Sequence, residues 1–339
     1  MPAKPVTAVL LNDTRNDHHH GCSIVVETIL DLASHSGIRI LGTSPVHADW
    51  RQNSSFKALM DSADLVIVNG EGTIHHDRPA GEHLLAAGLH ARSLGKPSAL
   101  INTTWQANGQ RYLEMVSSFD IVSVRESASL TELDEAGVKC RRIADLALCH
   151  QPPAATNRSG VVFTDSVLGE ATLEIYRKMW ALGASPLNIL FGRRSPRDFA
   201  IAVRRLMRST NSRNPGALLT ALRGATMEWL TQTADREIYL QKLASSELLV
   251  TGRFHAMIFA LATRTPLLGV SSNTSKIEST LADAGLEPWR IVSPGKIDGA
   301  LLRRASRWSE AEAANLEGFV QTTRADARQL FEDLHAIAS

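Results

Sequence analysis

The sequence predicts an α/β protein made of two doubly wound domains whose parallel sheets face a central cleft. Three observations carry that expectation. Short β-branched runs alternate with longer segments of helical period, and the runs are apolar on both faces, as strands of a helix-covered parallel sheet are. The alternation is interrupted once, by the polar, Pro-containing stretch CHQPPAATNRSG at 149–160. A chain of 339 residues with 44% hydrophobic and 21% charged content can bury two cores of ordinary domain size.

TAVLL (7–11) reads as the first strand, and a helix is expected from Cys22 to about Ser36, where Ile24, Val25, Thr28, Ile29 and Leu32 recur at three and four. IRILG (38–42), DLVIVNG (64–70), SALIN (98–102) and DIVSV (120–124) follow as strands, separated by helical patterns such as EHLLAAGLHARSLG and SASLTELDEAG. After the polar stretch the alternation resumes with GVVFTD (160–165), LNILFG (187–192), ELLVTG (247–252) and TPLLGVS (265–271). Between 193 and 245 the pattern is helical with a loop at STNSRNPG, and 306–338 reads as one long helix or a helix pair. The expected organisation is a first domain over 1–152 on the acceptor side, a second over 158–305 on the donor side, and a helical segment over 306–339 that packs back on the first.

Charge excludes some functions. Lys and Arg (36) nearly cancel Asp and Glu (35), so no global field draws a polyanion, and nucleic acid is not an expected partner. Cys22, Cys140 and Cys149 are odd in number and widely spaced, which fits neither a disulfide framework nor a structural zinc site. The apolar stretch before Asn12 is too short for a signal segment, and nowhere do eighteen apolar residues run together. A cytoplasmic protein is expected, with peripheral association at the inner face of the membrane left open.

In open α/β sheets ligands bind beyond the carboxyl ends of the strands, so the loops after each strand hold the candidates. NDTRNDHHHGC (12–22) offers Asn12, Asp13, His19 and His20; VNGEGTIHHD (68–77) offers Gly70, Glu71, Gly72 and His75. Histidines adjacent in one loop point apart, and no metal is expected there. Arg125 leaves the fifth strand with a guanidinium fork suited to carboxylate or phosphate, and Asp145 stands at the interdomain connection. VTGRFHAMIFALATRTPLLGVSSNTSKIESTL (250–281) brings Arg253 and His255 to a helix start, with Ser271, Asn273 and Lys276 on the same rim. A cation, an imidazole and a lysine converging at a positive helix terminus suit an anionic substrate.

These residues carry a resemblance. SVRESASLTELDEAGV and IADLAL, followed by LLVTGRFHAMIFALATRTPLLGVSSNTSKIESTL, resemble the polysaccharide pyruvyl transferase family, whose members are similar to two-domain, Rossmann-like glycosyltransferases of the GT-B type. The resemblance spans roughly 8–285 and is strongest at 250–281. It implies a transferase of surface polysaccharide or lipopolysaccharide synthesis in bacteria that moves a pyruvyl group from phosphoenolpyruvate to a sugar or lipid-linked glycan, with no cofactor. It also implies that Arg253 and His255 form the family's Arg-x-His motif, with Arg125 as a further anion contact and Lys276 in the trailing loop.

The chain departs from that pattern where it has GEG in place of a run of glycines and NDHHHGC in its first loop. A carboxylate at Glu71 repels phosphoenolpyruvate and suits a sugar hydroxyl better. Three readings stay open. In the first, Glu71 or His255 takes the acceptor proton while Arg253, Arg125 and Lys276, with Ser271 and Asn273, hold the donor anion; Asn12, His19, His20, Gly70, Gly72 and His75 form the acceptor loops. In the second, a GT-B glycosyltransferase uses a CMP-activated acidic sugar, with Asp145, Glu71 or Asp13 as nucleophile. The third is a glycan-binding protein without catalysis.

Overall fold

The computed structural model describes residues 5–46, 48–154, 157–191, 196–208 and 215–339. The chain divides into two compact units, one of Met1–Asp17, Cys22–Cys149 and Gln321–Ser339, the other of His18–Gly21 and His150–Val320.

The first unit holds β1 (Val6–Asp13), α1 (His20–His35, which starts in the second unit), β2 (Ile38–Pro45), α2 (Ser54–Ser62), β3 (Leu65–Glu71), α3 (Pro79–Ser93), β4 (Ser98–Thr103), α4 (Gln110–Val116), β5 (Ile121–Val124), α5 (Ser127–Glu135) and β6 (Arg141–Arg142). Its strands form one parallel sheet in the order β2-β1-β3-β4-β5-β6. Every residue of β1, β3 and β4 is buried, which explains their unbroken apolar runs. Val9, Val66, Leu100 and Val122 meet Phe56, Met60, Leu84 and Leu133 from the helices, each fully buried aliphatic side chain contributing about 1.5–3 kcal/mol.

The second unit holds β7 (Val161–Ser166), α6 (Gly169–Ala181), β8 (Ser185–Pro186), α7 (Pro196–Arg208), α8 (Pro215–Thr231), α9 (Arg236–Ala244), β9 (Leu248–Gly252), α10 (Phe254–Ala262), β10 (Leu267–Gly269), α11 (Lys276–Asp283) and α12 (Gly299–Ala305). Its sheet is parallel in the order β10-β9-β7-β8, with Phe163, Val250 and Leu268 packed against Ile175, Met179, Ala225 and Leu302. All of α10 is buried, so this apolar segment is the central helix of the unit. The segment 306–338 forms a single long helix, α13 (Glu310–Ala338), which passes from the second unit to the first between Val320 and Gln321.

One expected strand differs. The two-residue strand β8 lies just before LNILFG, and of that run Leu187 N donates to the Phe163 carbonyl; beyond it Leu190 bridges His19 antiparallel, His20 N donates to the Ile189 carbonyl, and Phe191 N donates to that of His18. The apolar run is real, but from Ile189 on its hydrogen bonds go to the histidine loop. Gly192, the end of that run, and 209–214 of the expected STNSRNPG loop lie outside the described residues.

Each sheet has one point where the strand order reverses, and there a doubly wound sheet opens a crevice at its carboxyl edge. In the first unit it lies between β1 and β3; in the second, between β7 and β9.

Candidate functional site

At the reversal point of the second unit, β7 ends beside Asp165 and β9 ends at Gly252, followed by Arg253 and the start of α10. A Cβ on Gly252 would come 2.6 Å from that of Ser166, so only glycine lets the two strand ends approach. Arg253 and Asp165 form a two-pronged ion pair: Nε donates to Oδ1 at 2.7 Å and Nη2 to Oδ2. Burial alone would favour the neutral guanidine, yet the Asp165 carboxylate overrides it and holds the Arg253 pKa above its usual value. Asp165 thus fixes Nε and Nη2, while Nη1 makes no hydrogen bond among the described residues.

His255 stands two residues on, in the first turn of α10, mostly buried. Residues 18–21 clamp over it from the other end of the chain. The His20 ring lies 4.6 Å from the Phe191 ring and 5.0 Å from that of Tyr239, and its Nε2 meets the Thr233 carbonyl at 2.9 Å. Gly21 then passes so close to His255 that a Cβ would fall 2.3 Å from its Cβ. The His19 ring is thereby set edge-on to His255, centroids 5.2 Å apart, with its Nδ1 accepting from Gly21 N at 3.0 Å. A neutral His19 therefore carries its proton on Nε2. Burial first, then His255 and Arg253, push its pKa well below the usual range and keep it neutral. Lys276, the first residue of α11, holds its ammonium 5.7 Å from the centroid of Phe254, and the Phe254 ring lies 5.5 Å from His255. Ser271 and Asn273 are exposed in the loop before it.

The reversal point of the first unit is a buried polar network. Asn12, Glu71 and Asn102, near the ends of β1, β3 and β4, all have left-handed backbones, at φ 65°, 42° and 54°. Asparagine tolerates that region; for Glu71 it costs about 1–2 kcal/mol. Asn12 Nδ2 donates to the Asn69 carbonyl at 2.7 Å, and Asn102 Nδ2 to Asn69 Oδ1 at 3.3 Å. Glu71 Oε1 accepts from Thr14 Oγ1 at 2.6 Å and Asn69 Nδ2 at 3.0 Å, while Oε2 accepts the Cys22 thiol at 3.4 Å. Burial and the Glu71 carboxylate raise the Cys22 pKa, so this thiol stays protonated and donates.

Several expectations need correction. Glu71 is not a projecting group poised over an acceptor; it is buried, with neutral donors on both oxygens. The gap at Gly70 is filled by Thr103, whose Oγ1 would lie 2.3 Å from an added Cβ, so that glycine serves strand packing rather than ligand approach. Arg125 and Asp145 are given to each other, Nη1 to Oδ2 at 2.8 Å with both side chains buried, and Arg125 Nη2 donates to Thr104 Oγ1 at 2.7 Å. This arrangement presents neither an open fork nor a nucleophile. Asp13 is held by Arg15 at 2.5 Å and by Thr43 at 2.8 Å, again no exposed nucleophile. His20 is a buried stacking residue whose pKa falls to about 4, chiefly through burial. His75 is buried beside His76, their Nδ1 atoms 2.8 Å apart, so one donates to the other. Gly72 ends the same turn, where Thr73 N donates to the Gly70 carbonyl.

Sequence reasoning missed Asp165 and the Asn69–Asn102 ladder. Asp165 was the last residue of a predicted strand, and the rule that sends ligands to carboxyl ends pointed at it. The asparagines lay inside runs read as plain strand.

The carboxylate network makes a direct prediction. Glu71→Gln retains the Oε1 acceptor but turns an amide donor toward the Cys22 thiol, a weak acceptor. A loss of about 1–2 kcal/mol is expected, measurable as a lowered melting temperature of the first unit. An unchanged melting temperature would show that Cys22 contributes nothing to holding Glu71.

The chain is similar in fold to UDP-GlcNAc 2-epimerase from Methanocaldococcus jannaschii, at 10% identity and a TM-score of 0.53, over 96% of this chain and 99% of that one. A putative UDP-N-acetylglucosamine 2-epimerase from Listeria monocytogenes aligns at 12% identity and TM-score 0.49 over 95% and 91%. The glycosyltransferase SnogD from Streptomyces nogalater aligns at 12% and 0.41 over 98% of each chain. No curated protein matches the sequence. The family model for polysaccharide pyruvyl transferase matches residues 10–274, a span that includes both reversal points, and the chain belongs to the polysaccharide pyruvyl transferase family of transferases.

Proposed function

We propose that the protein transfers the pyruvyl group of phosphoenolpyruvate to hydroxyl oxygen of a glycan acceptor. The observation that carries this reading is the Arg253 guanidinium: Asp165 fixes Nε and Nη2, and Arg253 is the residue that opens α10, two positions before His255. A donor carboxylate or phosphate meets there a rigid guanidinium, the positive end of a helix and, from α11, Lys276. The acceptor oxygen adds to C2 of the donor while C3 takes a proton from solvent and His255 accepts the hydroxyl proton; phosphate then leaves C2 and a second hydroxyl of the acceptor adds there, closing the pyruvate ketal and releasing its own proton to solvent. Arg253 stabilises the departing phosphate. The CMP-sugar reading with a carboxylate nucleophile is disfavoured, because Asp13, Glu71 and Asp145 are all engaged inside the first unit.

Phosphate release from phosphoenolpyruvate in the presence of a glycan acceptor tests the donor, with CMP release from CMP-sugars as the opposing arm. His255→Asn is expected to lower turnover about 100-fold or more, the scale of a lost general base, with donor affinity by calorimetry nearly unchanged. CMP release without phosphate release overturns the donor, and wild-type turnover in His255→Asn overturns the base.

A further inference from the structure

We infer that the α7–α8 hairpin of the second unit is a docking surface for an anionic lipid bilayer. Residues 196–231 carry six arginines against two acids in a chain whose net charge is only +1, so positive charge is concentrated here. The two helices each have an inner and an outer face. Phe199 and Val203 of α7 and Ala221 and Ala225 of α8 pack against the core of the unit. Opposite them, α8 exposes Leu219 (69%), Leu222 (40%) and Leu230 (54%), which with Arg223 and Thr226 recur at three and four and so form one stripe. On α7, Arg197, Ile201 and Arg204 recur at four and three on the outer side, with Ile201 55% exposed.

Among the described exposed residues of the two helices none is acidic. Glu228 turns inward, where it accepts the Tyr176 hydroxyl. A surface that pairs exposed leucines and isoleucine with arginines, with no exposed carboxylate among the described side chains, is complementary to acyl chains below a layer of negative headgroups. The exposed Arg197 and Arg204 have stems long enough to lie along apolar surface with their heads at headgroup phosphate, whereas the Arg223 guanidinium lies 4.5 Å from the Trp180 ring. No helix among the described residues is long and apolar enough to cross a membrane, so the contact is one of lying on the surface. It would bring the transferase to acceptors carried on lipid, but it does not depend on which donor the enzyme uses.

Co-sedimentation of the full chain with vesicles tests this. The wild type is expected to sediment with vesicles containing phosphatidylglycerol, to stay in solution with phosphatidylcholine alone, and to be released at high salt. Leu219→Glu with Leu230→Glu, both at exposed positions, is expected to lower partitioning roughly ten-fold or more with the melting temperature unchanged. Arg197→Gln and Arg204→Gln should each lower it about five-fold. A wild type that ignores anionic vesicles, or hairpin variants that sediment as well as the wild type, overturns the assignment, including in favour of a protein partner for the same face.

Discussion

Arg253→Ala is expected to destabilise the second unit by roughly 3–5 kcal/mol, the cost of leaving one member of a buried ion pair without its partner, and to reduce turnover about 100-fold or more. Both effects have one structural source. Asp165 is buried at the end of β7 and both its oxygens are bound by Arg253, so the variant removes the cation that binds both oxygens of a desolvated carboxylate. Under the proposed function the same substitution removes the anion contact at α10. The double variant Arg253→Ala with Asp165→Asn separates the roles. Neutralising Asp165 should recover much of the lost melting temperature, because no charge is then stranded. Turnover should not recover, because the cation is still missing. If turnover returns with stability, Arg253 only holds the fold, and the donor site must lie elsewhere.

The parallel sheets were legible because β1, β3, β4 and β9 are buried along their whole length, which forces short apolar runs at regular intervals between helical patterns. β6 was not, since two residues, Arg141 and Arg142, carry no period. LNILFG misled for a different reason: Leu187 and Ile189 are apolar because they are buried, but the backbone of 189–191 pairs with the histidines at 18–20, a pairing across some 170 positions that no local pattern encodes.

At the candidate site, sequence marked positions better than partners. Arg253 and His255 fall at a helix start because a short strand precedes a wholly apolar segment, and that spacing is visible. What was invisible is how each charge is compensated. Arg125 and Asp145 lie twenty residues apart and each looked available; the sheet brings them into one buried pair. Glu71 looked like a projecting carboxylate between two glycines. Its left-handed backbone instead turns the side chain back toward Thr14, Asn69 and Cys22. The GEG turn spends its conformational freedom on a rigid strand end, at the same edge where Asn12 and Asn102 take the same conformation, and three neighbouring strands ending alike give that edge a fixed polar lattice rather than flexible loops.

Arg290→Met is expected to cost about 3–5 kcal/mol at neutral pH, read as a lowered calorimetric transition of the second unit, and to cost clearly less near pH 3. Arg290 is fully buried and bound by Glu312 through Nε at 2.5 Å and Nη2 at 2.8 Å, while its Nη1 donates to the carbonyls of Leu267 and Ala305. Its guanidinium also lies 4.7 Å from the Trp289 ring and 4.2 Å from that of Trp308. One side chain thus ties β10, α12 and the start of α13 together. Burial would raise the Glu312 pKa, but hydrogen bonds from Arg290, Ser309 and Glu287 bring it down to about 2 from 4.5. A carboxyl whose folded pKa is depressed stabilises the fold fully above its unfolded value near 4.5, and that contribution, roughly 3 kcal/mol, is lost as pH falls toward 2. In Arg290→Met the cation is gone, burial dominates, and Glu312 takes up a proton at higher pH than in the wild type. Acidification therefore weakens the wild type while relieving the variant, and the two transitions should converge between pH 4.5 and 2. A gap between them that stays constant over that window would mean the loss comes from the missing carbonyl and tryptophan contacts, with the Glu312 charge playing no part.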